Sequence, residues 1–321
     1  MKWLLKCYYG YRNRGDELLF FGVMLYVFEH YSDLTSLDVE CGDVSWMSQW
    51  CELNYDLWDP YKSRVRFVPS RTFSMWTAGY DVIFAGWWEV LAHKWRNLWH
   101  AGCNYLALFW RWIWTRRVVW LWGIETPTTW RSKLLYRMML PYAREVVCRE
   151  QGSYDIAMRY TDRVVLYHDW AIDILNLNSS TLKGYQGPVE KWMWSSDSLF
   201  GVSKKYILIN FIPKYTSPEI IVQFHEWLQD YLEYNIINFS AEQWDILPEE
   251  IREQYGDRIQ TRKRWEHSID ETLQLYQQTQ AWFGQRLHFI IPCVYYHIPI
   301  RRLAYSEKVN KILQFFEQME L

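Results

Sequence analysis

The sequence has few glycines, no closely spaced pair of cysteines and no long run of like charges. Its 321 residues hold 14 glycines and six cysteines, and no two cysteines form a Cys-x-x-Cys pair. This spacing argues against a zinc site and against a disulfide framework, so we expect reduced thiols and no metal. The 35 Lys and Arg residues nearly balance the 37 Asp and Glu residues. We therefore expect a mixed, solvated surface and no nucleic-acid partner.

Long apolar segments are also missing. Residues 1–9 contain too short an apolar run for a secretory signal peptide. The most hydrophobic segment, 104–123, is interrupted by Arg111, Arg116 and Arg117, each of which is costly at the centre of a bilayer. We therefore predict a cytoplasmic protein without a membrane-spanning helix. The aromatic and arginine-rich character of the same segment also suits a membrane surface, which leaves a peripheral contact with the inner face of the membrane open.

Short apolar runs alternate with amphipathic segments, which is typical of βα units around a parallel sheet. We predict an α/β protein with two Rossmann-like domains whose parallel sheets flank a cleft, an arrangement that is GT-B-like. Ligands in such a fold bind at the carboxyl ends of strands and the amino ends of helices. The expected strands are 4–9, 81–85, 117–122, 145–148, 163–167 and 206–211, and the expected helices of the first half are 16–31 and 91–110.

The domain boundary is expected where the periodicity lapses into Asn, Ser, Gly and Pro, from about residue 176 to 203. This predicts an N-terminal domain of residues 1–190 and a C-terminal domain of residues 191–321. In the second domain, Ser217-Pro218-Glu219 predicts a helix start, and Ser268 with Glu271 predicts a capping box. Residues 247–267 are charged with both signs and are expected to form a solvated helix or loop.

The first turn carries the earliest chemical signal. Gly10 and Gly15 permit a tight turn after the first strand, and the amides at the helix start can receive an anion or a sugar hydroxyl. Asp16 and Glu17 are equally what any helix places in its first turn to meet the helix dipole. The turn alone therefore leaves a functional and a purely structural interpretation open.

Gly10-Tyr11-Arg12-Asn13-Arg14-Gly15-Asp16-Glu17 resembles the opening motif of the polysaccharide pyruvyl transferases, Gly-Tyr-x-Asn-x-Gly-Asp-Glu. Phe283-Gly284-Gln285-Arg286-Leu287-His288 resembles the Gly-x-Arg-Leu-His signature of the same family. Segments between and after them resemble further elements of the family in the same order, so the resemblance covers nearly the whole chain. These segments are 81–90, 123–127, Arg-x-x-x-Ser at 149–153, His-Asp-Trp-Ala at 168–171 and 298–309.

The resemblance implies a pyruvyl transferase that moves the enolpyruvyl-derived group of phosphoenolpyruvate onto a sugar hydroxyl of a cell-surface polysaccharide precursor as a ketal. Phosphoenolpyruvate would be a co-substrate, no cofactor would be needed, and the acceptor would be a saccharide or a lipid-linked saccharide. The N-terminal domain would hold the acceptor and the C-terminal domain the phosphoenolpyruvate.

Individual roles follow from the motifs. Arg286 suits the carboxylate or phosphate of phosphoenolpyruvate, and His288 is expected to be the general acid. Asp16 is the second expected catalytic residue, because it could accept the proton of the sugar hydroxyl or position the acceptor. A lone histidine at a helix start is otherwise commonly structural. The remaining residues that the resemblance implies in substrate binding are Leu287, Asn13, Gly15, Glu17 and Lys214.

Departures from the family pattern keep alternatives open. Gly86-Trp87-Trp88 stands where the family has a glycine-rich turn, and Trp170 stands where it has proline. A glycosyltransferase that uses a nucleotide sugar and a catalytically silent glycan-binding homologue are the alternatives.

The sequence also holds 22 tryptophans against 14 glycines, which is unusual because glycine is normally much the commoner residue. One hypothesis is that Trp87, Trp88 and Trp122 are glycines in the native protein because the source genome reads UGA as glycine. The other is a tryptophan-rich protein whose indoles fill cores or stack on sugars.

Overall fold

The chain folds into two compact units, each built on one sheet. The computed structural model describes residues 1–11, 14–70, 80–86, 118–121, 124, 126–127, 130–184, 206–240, 246–263 and 267–302. The first unit consists of Met1–Tyr11 and Leu19–Trp170, and the second of Arg12–Leu18 and Ala171–Leu321. The expected boundary between residues 190 and 191 lies outside the described residues and stays a prediction.

The first unit contains a sheet of seven described strands in the order β3-β2-β1-β4-β5-β6-β7, and every neighbouring pair is parallel. The neighbouring strands β4 and β5 are apolar and buried throughout, as expected for strands that helices cover on both faces. The strands are β1 Trp3–Tyr9, β2 Leu37–Cys41, β3 Val65–Pro69, β4 Val82–Ala85, β5 Val118–Leu121, β6 Glu145–Cys148 and β7 Val164–Leu166. The described helices up to residue 184 are α1 Arg14–His30, α2 Val44–Leu53, α3 Tyr55–Trp58, α4 Trp130–Met139, α5 Gln151–Ala157 and α6 Trp170–Gly184. Of these, the start of α1 up to Leu18 and α6 from Ala171 onwards belong to the second unit.

The second unit contains a sheet of five described strands in the order β10-β9-β8-β11-β12, again parallel throughout. Its core joins the apolar residues of β8 and β11 to the buried face of helix α7, where Phe224 and Leu228 are fully buried. The strands are β8 Tyr206–Asn210, β9 Asn235–Ser240, β10 Ile259–Lys263, β11 Thr279–Gly284 and β12 Ile300–Arg302. The helices are α7 Pro218–Leu228, α8 Glu249–Tyr255, α9 Ile269–Gln277 and α10 Leu287–Tyr295.

These two parallel sheets with flanking helices confirm the predicted α/β class with two Rossmann-like units. The expected capping box is present, since the Ser268 hydroxyl accepts the Glu271 N–H at 3.1 Å and the Glu271 carboxylate accepts the Ser268 N–H at 2.7 Å. Pro218 is the first residue of α7 as predicted. The helix expected at 91–110 lies outside the described residues.

Three expectations need correction. The described residues between 247 and 263 form helix α8, as one alternative predicted, but also the edge strand β10, which was not predicted. Helix α6 continues to Gly184, so the region expected to be a connection from residue 176 is helical at its start. Ser217 precedes α7 but makes no side-chain cap bond to the helix backbone. Its hydroxyl instead contacts Glu219, and this hydrogen bond lowers the pKa of that carboxyl.

Candidate functional site

The turn after β1 is held tightly against the turn after β2. Gly10 has a φ of +73°, and a Cβ added there would lie 3.1 Å from the Asp43 nitrogen. The Gly10 carbonyl accepts the Asp43 N–H at 3.1 Å, and the Tyr9 carbonyl accepts the Gly42 N–H at 2.9 Å. Glycine is therefore required at residue 10 by both its conformation and the neighbouring turn. The space next to Gly10 is therefore filled by the backbone of the neighbouring turn.

A buried ion pair joins two of the segments that the resemblance singled out. Arg149 follows β6, Asp169 follows β7, and their side chains meet at 3.3 Å between Nη1 and Oδ2. Each side chain is only 3% exposed. The Arg149 Nε also donates to Glu150 at 3.1 Å. Since an unpaired charge would be costly at this depth, the carboxylates fix the guanidinium in place.

A serine of the same network holds the turn after β5. The Ser153 hydroxyl accepts the Ile124 N–H at 2.6 Å and donates to the Glu150 carboxylate at 2.6 Å. Ser153 is 1% exposed, so these bonds form away from water. The segments expected at 123–127, 149–153 and 168–171 therefore meet at the carboxyl edge of the first sheet, where α/β proteins bind ligands.

Trp170, next to Asp169, lies directly against helix α1. A Cβ added to Gly22 would lie 2.1 Å from the Trp170 carbonyl oxygen, a distance that no side chain can adopt. The Trp170 ring is fully buried and packs edge-on against Tyr26 at a centroid distance of 6.2 Å. Gly22 thus allows α1 to approach the start of α6 and fixes the backbone that carries Asp169.

In the second unit, the carboxyl ends of β8 and β11 lie side by side, with Gly284 paired to Asn210. A Cβ at Gly284 would lie 2.6 Å from the Trp282 ring and 2.8 Å from the Asn210 carbonyl oxygen. Only glycine therefore fits between this ring and the neighbouring strand. The Asn210 side-chain amide donates to the Phe239 carbonyl at 3.0 Å, which ties β8 to β9 at the same edge.

Gln285, the variable residue of the Gly-x-Arg-Leu-His motif, is hydrogen-bonded at two points to the turn that follows β8. Its side chain is fully buried. The Ile212 N–H donates to Gln285 Oε1 at 2.7 Å, and Gln285 Nε2 donates to the Tyr215 carbonyl at 3.0 Å. Ile212 and Tyr215, the two residues bonded to Gln285, lie on either side of Lys214 in the sequence, and Lys214 lies in the single helical turn Pro213–Tyr215. Gln285 therefore links the Lys214 turn to the strand end that carries Arg286.

Arg286 is the N-cap residue of helix α10 and is partly buried. Lys214 is exposed, and its Nζ lies 5.3 Å from the centroid of the Tyr215 ring. Two cationic residues thus follow two neighbouring strands, and one of them begins a helix whose amino end carries partial positive charge. This edge of the second sheet can receive an anion through an arginine fork, a lysine and helix amides.

The other predicted site residues are placed only in part. Asn13 lies outside the described residues. Gly15, Asp16 and Glu17 lie in the first turn of α1, and Leu287 and His288 in the first turn of α10. The side chains at 16, 17, 287 and 288 lie outside what the structure describes, so their roles stay predictions. Trp87, Trp88 and Trp122 also lie outside the described residues.

Sequence reasoning gave no site role to Gln285 or to the Arg149 and Asp169 pair. Both Gln285 and Arg149 occur within segments that the resemblance had already singled out, so a polar residue inside such a motif was the available signal. No group of three His, Cys, Asp or Glu side chains in the described part of the chain is arranged to hold a metal. The expectation that no metal is needed stays a prediction.

The family model of the polysaccharide pyruvyl transferases matches residues 13–307. No curated protein sequence matches the chain. The match to the family model begins within the first turn, at Asn13, includes the Arg286 motif and extends over nearly all the segments described above.

Solved structures show where the same fold occurs. UDP-GlcNAc 2-epimerase from Neisseria meningitidis, bound to UDP-GlcNAc, is 12% identical with a TM-score of 0.58, over 100% of this chain and 91% of that chain. UDP-N-acetylglucosamine 2-epimerase from Rickettsia bellii is 8% identical with a TM-score of 0.59, over 99% and 88%. A putative epimerase of the same kind from Listeria monocytogenes is 10% identical with a TM-score of 0.58, over 98% and 82%. At these identities the similarity shows the GT-B-like fold alone.

In the described part of the chain, no helix is both long and apolar enough to cross a membrane.

Proposed function

Since the chain belongs to the polysaccharide pyruvyl transferase family, whose members are transferases, we propose that it moves the enolpyruvyl-derived group of phosphoenolpyruvate onto a sugar as a ketal. The match over residues 13–307 is the observation that carries this proposal. The acceptor is a saccharide or lipid-linked saccharide precursor of a cell-surface polysaccharide. The protein works in the cytoplasm, at the inner face of the membrane.

The donor site of this proposal is the carboxyl edge of the second sheet. Phosphoenolpyruvate carries a carboxylate and a phosphate, and the Arg286 guanidinium can bind either group with two parallel hydrogen bonds. Lys214, on the neighbouring strand end, supplies a point charge for the other group. The first turn of α10, with Leu287 and His288, adds backbone amides at the positive end of the helix.

The chemistry needs a proton donor and an acceptor hydroxyl. Protonation of the methylene carbon develops positive charge at C2, and a sugar hydroxyl oxygen bonds to that carbon. Phosphate leaves as its bond to C2 breaks, and a second hydroxyl of the sugar closes the ketal. The two hydroxyl protons balance the one gained by the methylene carbon and the one carried off by phosphate. We assign the proton donation to His288. Asp16, together with Asn13, Gly15 and Glu17, positions the acceptor.

Calorimetry with phosphoenolpyruvate tests the donor assignment directly. We expect binding by the wild type and a weakening of about 10- to 100-fold in Arg286→Ala, because a charged hydrogen-bond partner is lost. Arg252→Ala is the matched control, since Arg252 is an exposed arginine of α8 in the same unit. Phosphate release should require both phosphoenolpyruvate and a glycan acceptor. Binding of a nucleotide sugar in place of phosphoenolpyruvate would instead identify a glycosyltransferase, and glycan binding without either donor would identify a silent homologue.

A further inference from the structure

Helix α4 carries a row of large apolar side chains on its outer surface. Trp130, Leu134, Met138 and Tyr142 are 68%, 47%, 39% and 39% exposed. Within the helix they recur every four residues, so they follow one face, and Tyr142 continues the row in the turn after it. We call these four residues the α4 stripe. Single exposed apolar residues are ordinary, but a contiguous row of this kind indicates a contact surface.

The opposite face of α4 packs against the core of the first unit. Tyr136 and Met139 are each 1% exposed and belong to the core beneath β5 and β6. A surface helix of a globular protein normally has one apolar face, directed to the core, and a polar face directed to water. Because α4 also carries a row of apolar side chains on its outer face, folding of the unit does not explain the α4 stripe.

Cations accompany the α4 stripe. Lys133 and Arg137 are exposed and directly precede Leu134 and Met138, so they form a parallel row beside it. Residues 130–144 contain four basic residues and no acidic one. In a chain whose charges otherwise balance, this is a local excess of positive charge next to an exposed apolar surface.

We propose that the α4 stripe docks the protein onto a membrane surface that contains anionic lipid. An apolar row flanked by Lys and Arg is the pattern of helices that lie in the interface, with apolar side chains among the acyl chains and cations at the headgroups. Trp and Tyr, at the two ends of the stripe, are the residues that favour the interface itself.

A second copy of the chain is a poorer occupant of the same surface. Two copies related by a two-fold axis would place the same patch against itself. The cationic rows of Lys133 and Arg137 would then face each other, with no acidic residue of the segment to neutralise them. Anionic lipid supplies the missing negative charge. Membrane placement is part of the proposed function, but the identity of this surface stands apart from the transfer chemistry.

Co-sedimentation with lipid vesicles tests the inference without any transferase assay. We expect the wild type to bind vesicles of phosphatidylcholine that contain phosphatidylglycerol, and to bind pure phosphatidylcholine vesicles much more weakly. Leu134→Ser with Met138→Ser should weaken binding about tenfold or more, because apolar burial is lost. Lys133→Gln and Arg137→Gln should each weaken it about fivefold, and added salt should reduce these two effects.

Val222→Ser is the matched control, since Val222 is 54% exposed on α7 with Glu219 and Glu226 beside it and no cation row. It should bind vesicles like the wild type. Absence of vesicle binding, or binding that the α4 variants leave unchanged, overturns the inference. So does sedimentation of the wild type as a dimer that Leu134→Ser with Met138→Ser dissociates, because the stripe is then a self-interface. All of these substitutions are at exposed positions, and equal thermal midpoints confirm that each variant is folded.

Discussion

The side-chain oxygen of Gln285 accepts a hydrogen bond of 2.7 Å from the backbone N–H of Ile212, and the contact is fully buried. The bond joins residues 73 positions apart in the sequence. Together with the bond from Gln285 to the Tyr215 carbonyl, it fixes the turn that carries Lys214. If Lys214 and Arg286 hold one anion, the relative position of their two strand ends depends on Gln285.

We therefore expect Gln285→Met to weaken phosphoenolpyruvate binding through Lys214. The variant leaves the Ile212 N–H buried without an acceptor, which costs about 1 to 3 kcal/mol and releases the turn. In a Lys214→Ala background, the same substitution should cause little further loss of affinity, because the residue that it positions is gone. Calorimetry on the four members of this double-mutant cycle measures the coupling.

Thr279→Val is the control for this cycle. It removes a buried hydrogen bond of 2.7 Å from the Thr279 hydroxyl to the Leu275 carbonyl. Thr279 is the first residue of β11, whereas Gln285 follows the last residue of that strand. It should lower stability and leave phosphoenolpyruvate affinity unchanged. Additive losses from Gln285→Met and Lys214→Ala would refute the positioning role.

Arg286 and His288 should affect different kinetic constants. Loss of an anion ligand in Arg286→Ala is expected to raise KM for phosphoenolpyruvate. Loss of the proton donor in His288→Gln is expected to lower kcat by about 100-fold or more with a smaller effect on KM. Steady-state kinetics with a saturating acceptor separates the two, and an unchanged kcat in His288→Gln would exclude it as the acid.

Gly22→Ala should destabilise the protein, because its methyl group would collide with the Trp170 carbonyl oxygen. Overpacking of this kind costs about 1 to 3 kcal/mol. Gly152→Ala, within α5, is the matched control, since no atom lies within 4 Å of the added Cβ. That variant should gain about 0.5 to 1 kcal/mol from helix propensity. Urea unfolding compares the two, and equal effects would contradict the collision.

Stability should fall in alkaline solution because of buried thiols. Burial raises the pKa of Cys41 and of Cys148 to about 12 in each case, from an ordinary value of 9.0. Between these values the unfolded chain loses thiol protons that the folded chain retains, so the free energy of unfolding decreases as pH rises above 9. Below pH 9 the contribution is fully present. Urea titrations at several alkaline pH values should show a shallower decline in Cys148→Val than in the wild type, and parallel curves would refute the assignment.

The excess of tryptophan has a direct chemical test. If the source genome reads UGA as glycine, peptide mass spectrometry of the native protein will find glycine at residues 87, 88 and 122. Tryptophan at these positions would establish the tryptophan-rich alternative. Some tryptophans plainly fill the core, since the Trp3 ring stacks on Phe84 at a centroid distance of 5.4 Å. We therefore expect any replacement of tryptophan by glycine to be confined to turns, and buried core tryptophans such as Trp3 to remain tryptophan.

Local patterns were sufficient to predict several buried strands and the capped start of α9, but the buried strands β2, β9 and β11 were not predicted. Strands such as β1 and β6 are almost continuously apolar, and the start of α9 is specified within four residues by Ser268 and Glu271. Strand β10 was missed because it is an edge strand with one apolar residue at its start, followed by Gln, Thr, Arg and Lys. Its conformation is set by parallel pairing with β9 and not by its own side chains.

The candidate site was predictable where a motif carries it and unpredictable where distant segments meet. The Arg286 motif can be found in the sequence alone, and the structure places it at a strand end followed by a helix. The bond between Arg149 and Asp169 joins two motifs, and that between Gln285 and Ile212 joins two strand ends. Such contacts depend on which strands lie next to each other, and strand order is not contained in local hydrophobic periodicity.

In both sheets, the described strand that is synthesised first lies inside the sheet and not at its edge. Strand β1 has β2 on one side and β4 on the other, and β8, the first strand of its sheet, likewise lies between β9 and β11. As the chain leaves the ribosome, β1 cannot gain its second neighbour until residue Val82, the partner of Trp3, has been made. Each sheet must therefore be extended on both sides of its first strand, and one edge of that strand stays without a hydrogen-bonded neighbour until a later strand has been synthesised. Nascent chains stalled between β2 and β4 should be the stage of synthesis most prone to aggregation and most dependent on chaperones.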